Sequence, residues 1–236
     1  MRVPARLLFV MGSLAALPAF PADPVTDAMQ AAYAPYRATL FRTNSKAQLE
    51  SEQAIAQAQR AWKAISERFA AKPPAPYERD AEFATSLTQV AAVYVRAAQQ
   101  AGDRRLAEAH ATLEQARDLM ADLRRRNDVV VFSDHMNAYH AEMEHVLEQG
   151  PQALASSQDL MLLMGHVGAL EYLSRRLRTE APSALLREPE FPPLLEAVEA
   201  SVAALRSAVL RLDAAAARAA IGRLEGPYSR MFLKFG

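Results

Sequence analysis

The apolar residues of this chain recur at helical spacing along almost its whole length. After Asp23 they return every three or four positions, and no segment alternates in the strand-like period of two. Glycine occurs only eight times, which fits long helices joined by short connections. We therefore predict helices at residues 24–42, 45–71, 78–101, 104–126, 133–149, 156–179, 193–212 and 214–225, with a short helical tail to Phe235.

Prolines and short polar turns separate these helices. Residues 72–76 hold three prolines and cannot continue a helix, and Gly150-Pro151 should end the fifth one. Gly102 suits a helix C-terminus before a tight turn, and Ser45 and Ser133 suit N-caps. The pattern predicts an all-α fold, an antiparallel helical bundle built from consecutive helical hairpins, with about seven to eight helices.

Three of the predicted hairpin turns resemble one another. In each, an arginine lies seven positions before an Asn or Asp at the turn, and an alanine-rich helix follows: Arg37 and Asn44, Arg96 and Asp103, Arg206 and Asp213. This suggests one hairpin used three times, with residues 133–179 as the exception. The alternative is that all alanine-rich amphipathic hairpins look alike, since a true tandem repeat shows a sharper period.

The helical pattern is interrupted once, and this bears on domain organisation. Residues 23–236 are predicted to form a single all-helical domain, with room for a sub-boundary near 127–133. The run Arg124-Arg125-Arg126 is typical of a solvated helix C-terminus, where cations oppose the helix dipole. Residues 129–132 are apolar and β-branched, and we expect an extended connector there.

Residues 1–22 have the features of a cleaved signal peptide. Arg2 and Arg6 precede a short apolar segment at 7–17, and Ala19 and Ala22 provide small residues for cleavage. The segment is too short for a stable membrane anchor. Without cysteine, a lipid anchor on that residue is excluded too. The bias of 23 arginines to 4 lysines is typical of a GC-rich bacterial genome, so we predict a periplasmic protein.

The charge balance excludes one class of partner. Without residues 1–22 the chain has 25 basic and 27 acidic residues, a net charge of −2. A nucleic-acid-binding protein needs a clustered positive surface, so we expect no nucleic-acid partner.

The most chemically distinctive segment lies between residues 135 and 166. It holds four histidines and four methionines in a chain without cysteine: His135, His140, His145, His166, Met136, Met143, Met161 and Met164. Imidazole and thioether are the soft and borderline metal ligands that remain when thiolate is absent. At 100° per residue, the predicted helix 133–149 directs His140, Met136 and Met143 toward one apolar arc.

The following helix places His166 near the middle of its apolar arc, which includes Leu162, Leu163 and Leu170 with Met161 at its margin. The two helices should be antiparallel neighbours. His140 and His166 are therefore expected to face each other across the core, whereas His135 and His145 appear on polar faces and are discounted. The pattern predicts a copper site whose ligands are His140, Met143, Met136 and His166, with Glu144 orienting His140 or serving as an oxygen ligand.

Two alternatives to a copper site use the same residues. The histidines can be satisfied inside the protein while the methionines only fill the core. A non-covalent haem b with axial His and Met is the other, since no Cys-x-x-Cys-His for covalent haem is present. Glu142 and His145 form one Glu-x-x-His, but a di-iron bundle needs two.

A different class of function is a scaffold that engages an envelope protein. The C-terminal tail carries Tyr228, Phe232 and Phe235 at helical spacing, and we expect such a surface to dock on its own bundle, on a partner or on a membrane. No phosphate loop, nucleophile elbow or zinc-protease motif is present, and nothing in the sequence favours an enzyme.

Overall fold

The computed structural model describes residues 23–154 and 157–236, so the predicted signal peptide lies outside the described residues. It confirms the all-α class: no strand occurs in those two ranges, and the helices pack on one another. The helices are α1 (Pro24–Asn44), α2 (Gln48–Phe69), α3 (Phe83–Gly102), α4 (Leu106–Arg126), α5 (Phe132–Ala153), α6 (Ser157–Thr179), α7 (Ser183–Leu186), α8 (Phe191–Leu210), α9 (Ala214–Ile221) and α10 (Glu225–Phe235). None of them is long and apolar enough to cross a membrane.

Helices α1 to α4 form a four-helix bundle in which each packs on the next and α4 packs back on α1. Their apolar stripes enclose a core that runs from Val25 to Leu123. Trp62 lies inside it, 1% exposed, and its indole N–H donates to the carbonyl of Leu87 at 2.9 Å. The polar edge of this large side chain is therefore satisfied within the core.

Helices α5, α6 and α8 to α10 enclose a second core, from Phe132 to Met231. Phe232 of α10 packs against both cores, and α10 also contacts α1, so the C-terminal helix joins the two bundles. The tail therefore docks on its own chain, with Tyr228 4% and Met231 0% exposed.

The two cores separate between Leu123 and Phe132, at the interruption that the sequence shows. Here the predicted solvated run is wrong for Arg124, which is fully buried, whereas Arg125 and Arg126 are exposed. The Arg124 guanidinium donates to both carboxylate oxygens of Asp134, with Nε 3.1 Å from Oδ2. Oδ2 also accepts from the Val131 N–H at 3.0 Å, so Asp134 rather than Ser133 caps α5.

The three similar hairpins share one turn geometry. Each turn has a residue in the left-handed region, at φ values of 56°, 62° and 55° for Lys46, Arg104 and Leu212. The next N–H donates to the carbonyl five residues back, as in a Schellman motif. Ser45 is thus the C-cap of α1 and not an N-cap, and Gly102 is not the left-handed residue of its turn.

The end of α5 also differs from the prediction. The helix continues through Pro151 to Ala153. Proline removes one backbone hydrogen bond, a loss that tertiary packing outweighs here. The buried Gly150 lies so close to α9 that a Cβ would be 2.9 Å from Ile221 Cδ1, so α5 and α9 approach closely at this point.

Candidate functional site: a histidine pair between α5 and α6

His140, the ligand that the sequence favours most, lies in a polar network rather than beside His166. Its ring stacks on Tyr228 with centroids 5.2 Å apart, and Arg117 Nη1 is 2.9 Å from its Nδ1. A guanidinium can only donate, so Nδ1 accepts and the ring proton is on Nε2. Nε2 then donates to Glu144 Oε1 at 3.3 Å. Both ring nitrogens therefore have partners within the protein.

Glu144 holds this ring in place, as the sequence suggested. The hydrogen bond from His140 is the main cause that holds the pKa of the Glu144 carboxyl below its ordinary value. Tyr228 completes the arrangement from the other face. Burial raises the pKa of this phenol, and the hydroxyl donates to the carbonyl of Met136 at 3.2 Å.

Met136 and Met143 are fully buried, in agreement with the predicted apolar arc. Both belong to the second core, packed among aliphatic and aromatic side chains. Methionine is well suited to fill irregular gaps of this kind. Their position fits the core-filling interpretation.

His166 meets a different histidine from the predicted one. Its Nε2 lies 3.1 Å from Nε2 of His145, and its Nδ1 lies 2.7 Å from Glu142 Oε1. Around α5, Glu142 and His145 are about 200° and 140° from His140. His140 and His166 thus lie on opposite sides of α5, and the prediction that they face each other is wrong.

The error comes from the apolar arc of α6. The middle of its buried side is formed by Leu163, Val167 and Leu170, whereas Leu162 is 62% exposed. Counting Leu162 as a core residue turned the predicted arc toward His166, whose side chain is in fact 36% exposed at the edge of the core. The Glu-x-x-His spacing of Glu142 and His145 was the available signal for the true contact.

The hydrogen bonds assign protons to this histidine pair. Glu142, an acceptor when ionised, accepts a hydrogen bond from His166 Nδ1–H, and when that ring is neutral its Nε2 carries a lone pair. His145 Nε2–H then donates to that lone pair. The Gln149 amide nitrogen, Nε2, lies 3.5 Å from His145 Nδ1, the nitrogen of that ring that faces away from His166. The two Nε2 atoms converge while the outer nitrogens point to polar partners.

The pair opens into a groove of about 390 Å³ between α5 and α6. Glu148, Gln149 and Asp159 line this groove together with Leu163. A tetrahedral metal with bonds near 2.0–2.1 Å would separate two imidazole nitrogens by about 3.3 Å, close to the 3.1 Å seen here. In the described ranges no three His, Asp or Glu side chains are arranged to hold a metal ion, so the pair offers two ligands.

The fold and this groove define the chain as an all-α protein of two joined helical bundles, with a paired-histidine groove in the second. Comparisons with protein-family models, with curated proteins and with solved structures each give no match.

Proposed function

We propose that this chain is a transition-metal-binding protein, not an enzyme, and that its site is the His145–His166 pair. The observation that supports this is the convergence of two Nε2 atoms at 3.1 Å, with Glu142 on the outer nitrogen of His166. Metal-bound histidines typically donate their other N–H to a carboxylate, which fixes the tautomer and makes the ligand more basic. Metal uptake would replace the proton between the two rings.

Copper remains the favoured metal, now as the oxidised ion. Imidazole ligands suit Cu²⁺ and Zn²⁺, and Cu²⁺ binds more tightly to a given set of nitrogen and oxygen ligands. A Cu⁺ site would need thioether ligands such as Met136 and Met143, and both of these side chains are buried in the second core. The remaining positions around the ion would be taken by water or by a groove carboxylate such as Glu148 after side-chain rotation. A periplasmic location, proposed from residues 1–22, would supply an oxidising compartment for Cu²⁺.

The test is a Cu²⁺ titration of the purified protein against a competing chelator, read by calorimetry and by electron paramagnetic resonance. We expect one ion per chain, with nitrogen hyperfine splitting. His145→Ala and His166→Ala should each lose about tenfold or more in affinity. His140→Ala is the matched control, because both nitrogens of that ring are already bound to protein groups.

Two results would overturn this assignment. Unchanged Cu²⁺ affinity in both His145→Ala and His166→Ala would remove the pair from the site. Cu⁺ uptake that disappears in Met143→Ala and His140→Ala would instead support the core site predicted from the sequence. We do not propose haem b, because His140 as an axial ligand would have to give up one of its two internal partners.

A second candidate function is docking onto an envelope protein. One side of α6 exposes Met161, Leu162 and Tyr172 by 74%, 62% and 56%. Large apolar side chains exposed along one side of a helix are typical of interaction surfaces. A chain with Met161→Glu and Leu162→Glu should lose a partner that the unmodified chain retains on co-purification from an envelope extract. The same partner recovered with both chains would refute this role for α6.

A further inference from the structure

A second cleft of the described chain lies between the two bundles, away from the histidine pair. It measures about 620 Å³ and is bounded by α1, α4, α5 and α10. That volume falls within the range of small-molecule sites, which often occur where two packed units meet. It lies beside the polar network of His140, Arg117 and Glu144, which the proposed metal site does not involve.

One side of the cleft is apolar and aromatic. Phe41, Tyr228 and Phe232 line it together with Leu40 and Leu147. Phe41 remains 42% exposed although it is a large apolar residue. Aromatic faces of this kind pack against apolar groups and attract cations through the ring quadrupole.

The charged groups of the cleft are mainly negative. Glu114, Glu144 and Glu225 line it, whereas Arg117 is the single lysine or arginine among its described lining residues. Arg117 already donates to His140 at 2.9 Å and to Asp118, outside the cleft, at 3.2 Å. Arg117 Nη1 also lies 3.8 Å from Glu114 Oε1, so its charge is largely compensated within the protein, and Glu144 and Glu225 determine the sign of the potential in the cleft.

His110 adds a hydrogen-bond acceptor. Its Nδ1 lies 3.0 Å from the Thr43 hydroxyl, which donates a hydrogen bond to the carbonyl of Thr39 at 2.8 Å. With the hydroxyl proton on that carbonyl, the hydroxyl oxygen accepts from His110 Nδ1–H, and in this tautomer the ring carries its lone pair on Nε2. This nitrogen has no partner among the described residues, and His110 lines the cleft. The cleft thus offers acceptors and negative charge beside aromatic rings.

We propose that the cleft between the bundles binds a small organic cation, an ammonium group carried on an apolar or aromatic body. The N–H donors of the ammonium meet Glu144, Glu225 and His110 Nε2, and its body packs on Phe41 and Phe232. Hydrogen bonds between two ionised groups are stronger than neutral ones, so the charge of the ligand governs recognition.

The test compares two ligands with the same body and opposite charge. Tryptamine and indole-3-acetate are titrated calorimetrically into the purified full chain with EDTA present, which separates this site from the proposed metal site. Tryptamine should bind saturably at one site per chain, and indole-3-acetate about tenfold or more weakly. Glu225→Gln and Glu144→Gln should each weaken tryptamine binding, the latter by about tenfold.

Glu50→Gln is the control, since Glu50 is exposed on α2 and lies outside the cleft. It should bind tryptamine like the unmodified chain. Glu225 is exposed too, so its variant stays informative if Glu144→Gln fails to fold. Equal affinities for the two ligands, no saturable tryptamine binding, or tryptamine binding that neither cleft variant weakens would each overturn the proposal.

Discussion

Among the described ion pairs, the buried pair of Arg124 and Asp134 should be the one whose disruption lowers the free energy of unfolding most. Arg124 is 0% exposed, and its Nη1 has no hydrogen-bond partner, so the guanidinium depends on Asp134. Asp134 itself is 21% exposed and can reach water. The two partners are therefore unequal, and removing the acid should cost more than removing the base.

The magnitude follows from what each substitution leaves behind. Asp134→Ala leaves a buried, uncompensated cation, which costs about 3–5 kcal/mol, and loses the cap on the Val131 N–H, worth about 0.5–2 kcal/mol. Asp134→Asn keeps an acceptor for that N–H and should cost less, about 2–4 kcal/mol. Arg124→Met leaves a carboxylate that water can reach and should cost about 1–2 kcal/mol.

Urea unfolding measures these losses. Trp62 is the only tryptophan and lies in the first core, so its fluorescence reports on that bundle, whereas far-ultraviolet circular dichroism reports on both. Coincident transitions by the two probes would justify two-state free energies. The double variant Arg124→Met/Asp134→Asn should be more stable than Asp134→Asn alone, because the buried cation is gone.

The matched control is a partly exposed arginine–carboxylate pair with the same bidentate contact. Arg178 and Glu199 are 2.6 Å apart with side chains 45% and 28% exposed, so Glu199→Ala should cost less than about 1 kcal/mol. If Asp134→Ala lowers the free energy of unfolding no more than Glu199→Ala does, burial does not determine how much these ion pairs contribute to stability, which refutes the prediction.

Three further outcomes are expected. Met231→Ala should lower the free energy of unfolding by about 2–5 kcal/mol, and Leu233→Ala, 37% exposed, by less than about 1 kcal/mol; equal losses would contradict the docked position of α10. His140→Ala should raise the pKa of Glu144 toward its ordinary value of 4.5 in an NMR titration. Because that pKa is lowered in the folded protein, its stabilising contribution is present above pH 4.5 and lost as the pH falls through the lowered value, and a pKa unmoved by the variant would exclude this cause. Leu212→Gly should raise the urea midpoint, because glycine removes the backbone strain of an exposed leucine at φ 55°. We expect a gain of about 0.5–1 kcal/mol in the free energy of unfolding, and a lower midpoint would contradict it.

The helices were the most predictable part of the structure because their pattern is local. A stripe of apolar residues at helical spacing needs only its own segment to be recognised, and each long predicted helix has a counterpart. The same reasoning placed Met136 and Met143 in the core. Turn details were less predictable, since Lys46, Arg104 and Leu212 take the left-handed position that usually indicates glycine.

The candidate site depended on which neighbour covers which side of a helix. The sequence of α5 presents His140 on one side and Glu142 with His145 on another, but it does not state which side α6 covers. The exposed Met161 and Leu162 made α6 look apolar over a wider arc than it buries. The predicted facing pair of His140 and His166 failed for that reason, and the pair with His145 replaced it.

From its sequence alone, this chain is an all-α protein with a histidine- and methionine-rich segment near its middle, since helical periodicity and residue chemistry are local properties. Only the tertiary structure decided that Arg124 is buried against Asp134, that His145 meets His166, and that the two bundles leave a cleft beside His140. Each of these contacts depends on the rotation of one helix against another. That rotation is set by the packing of all the side chains between the helices, and no short segment encodes it.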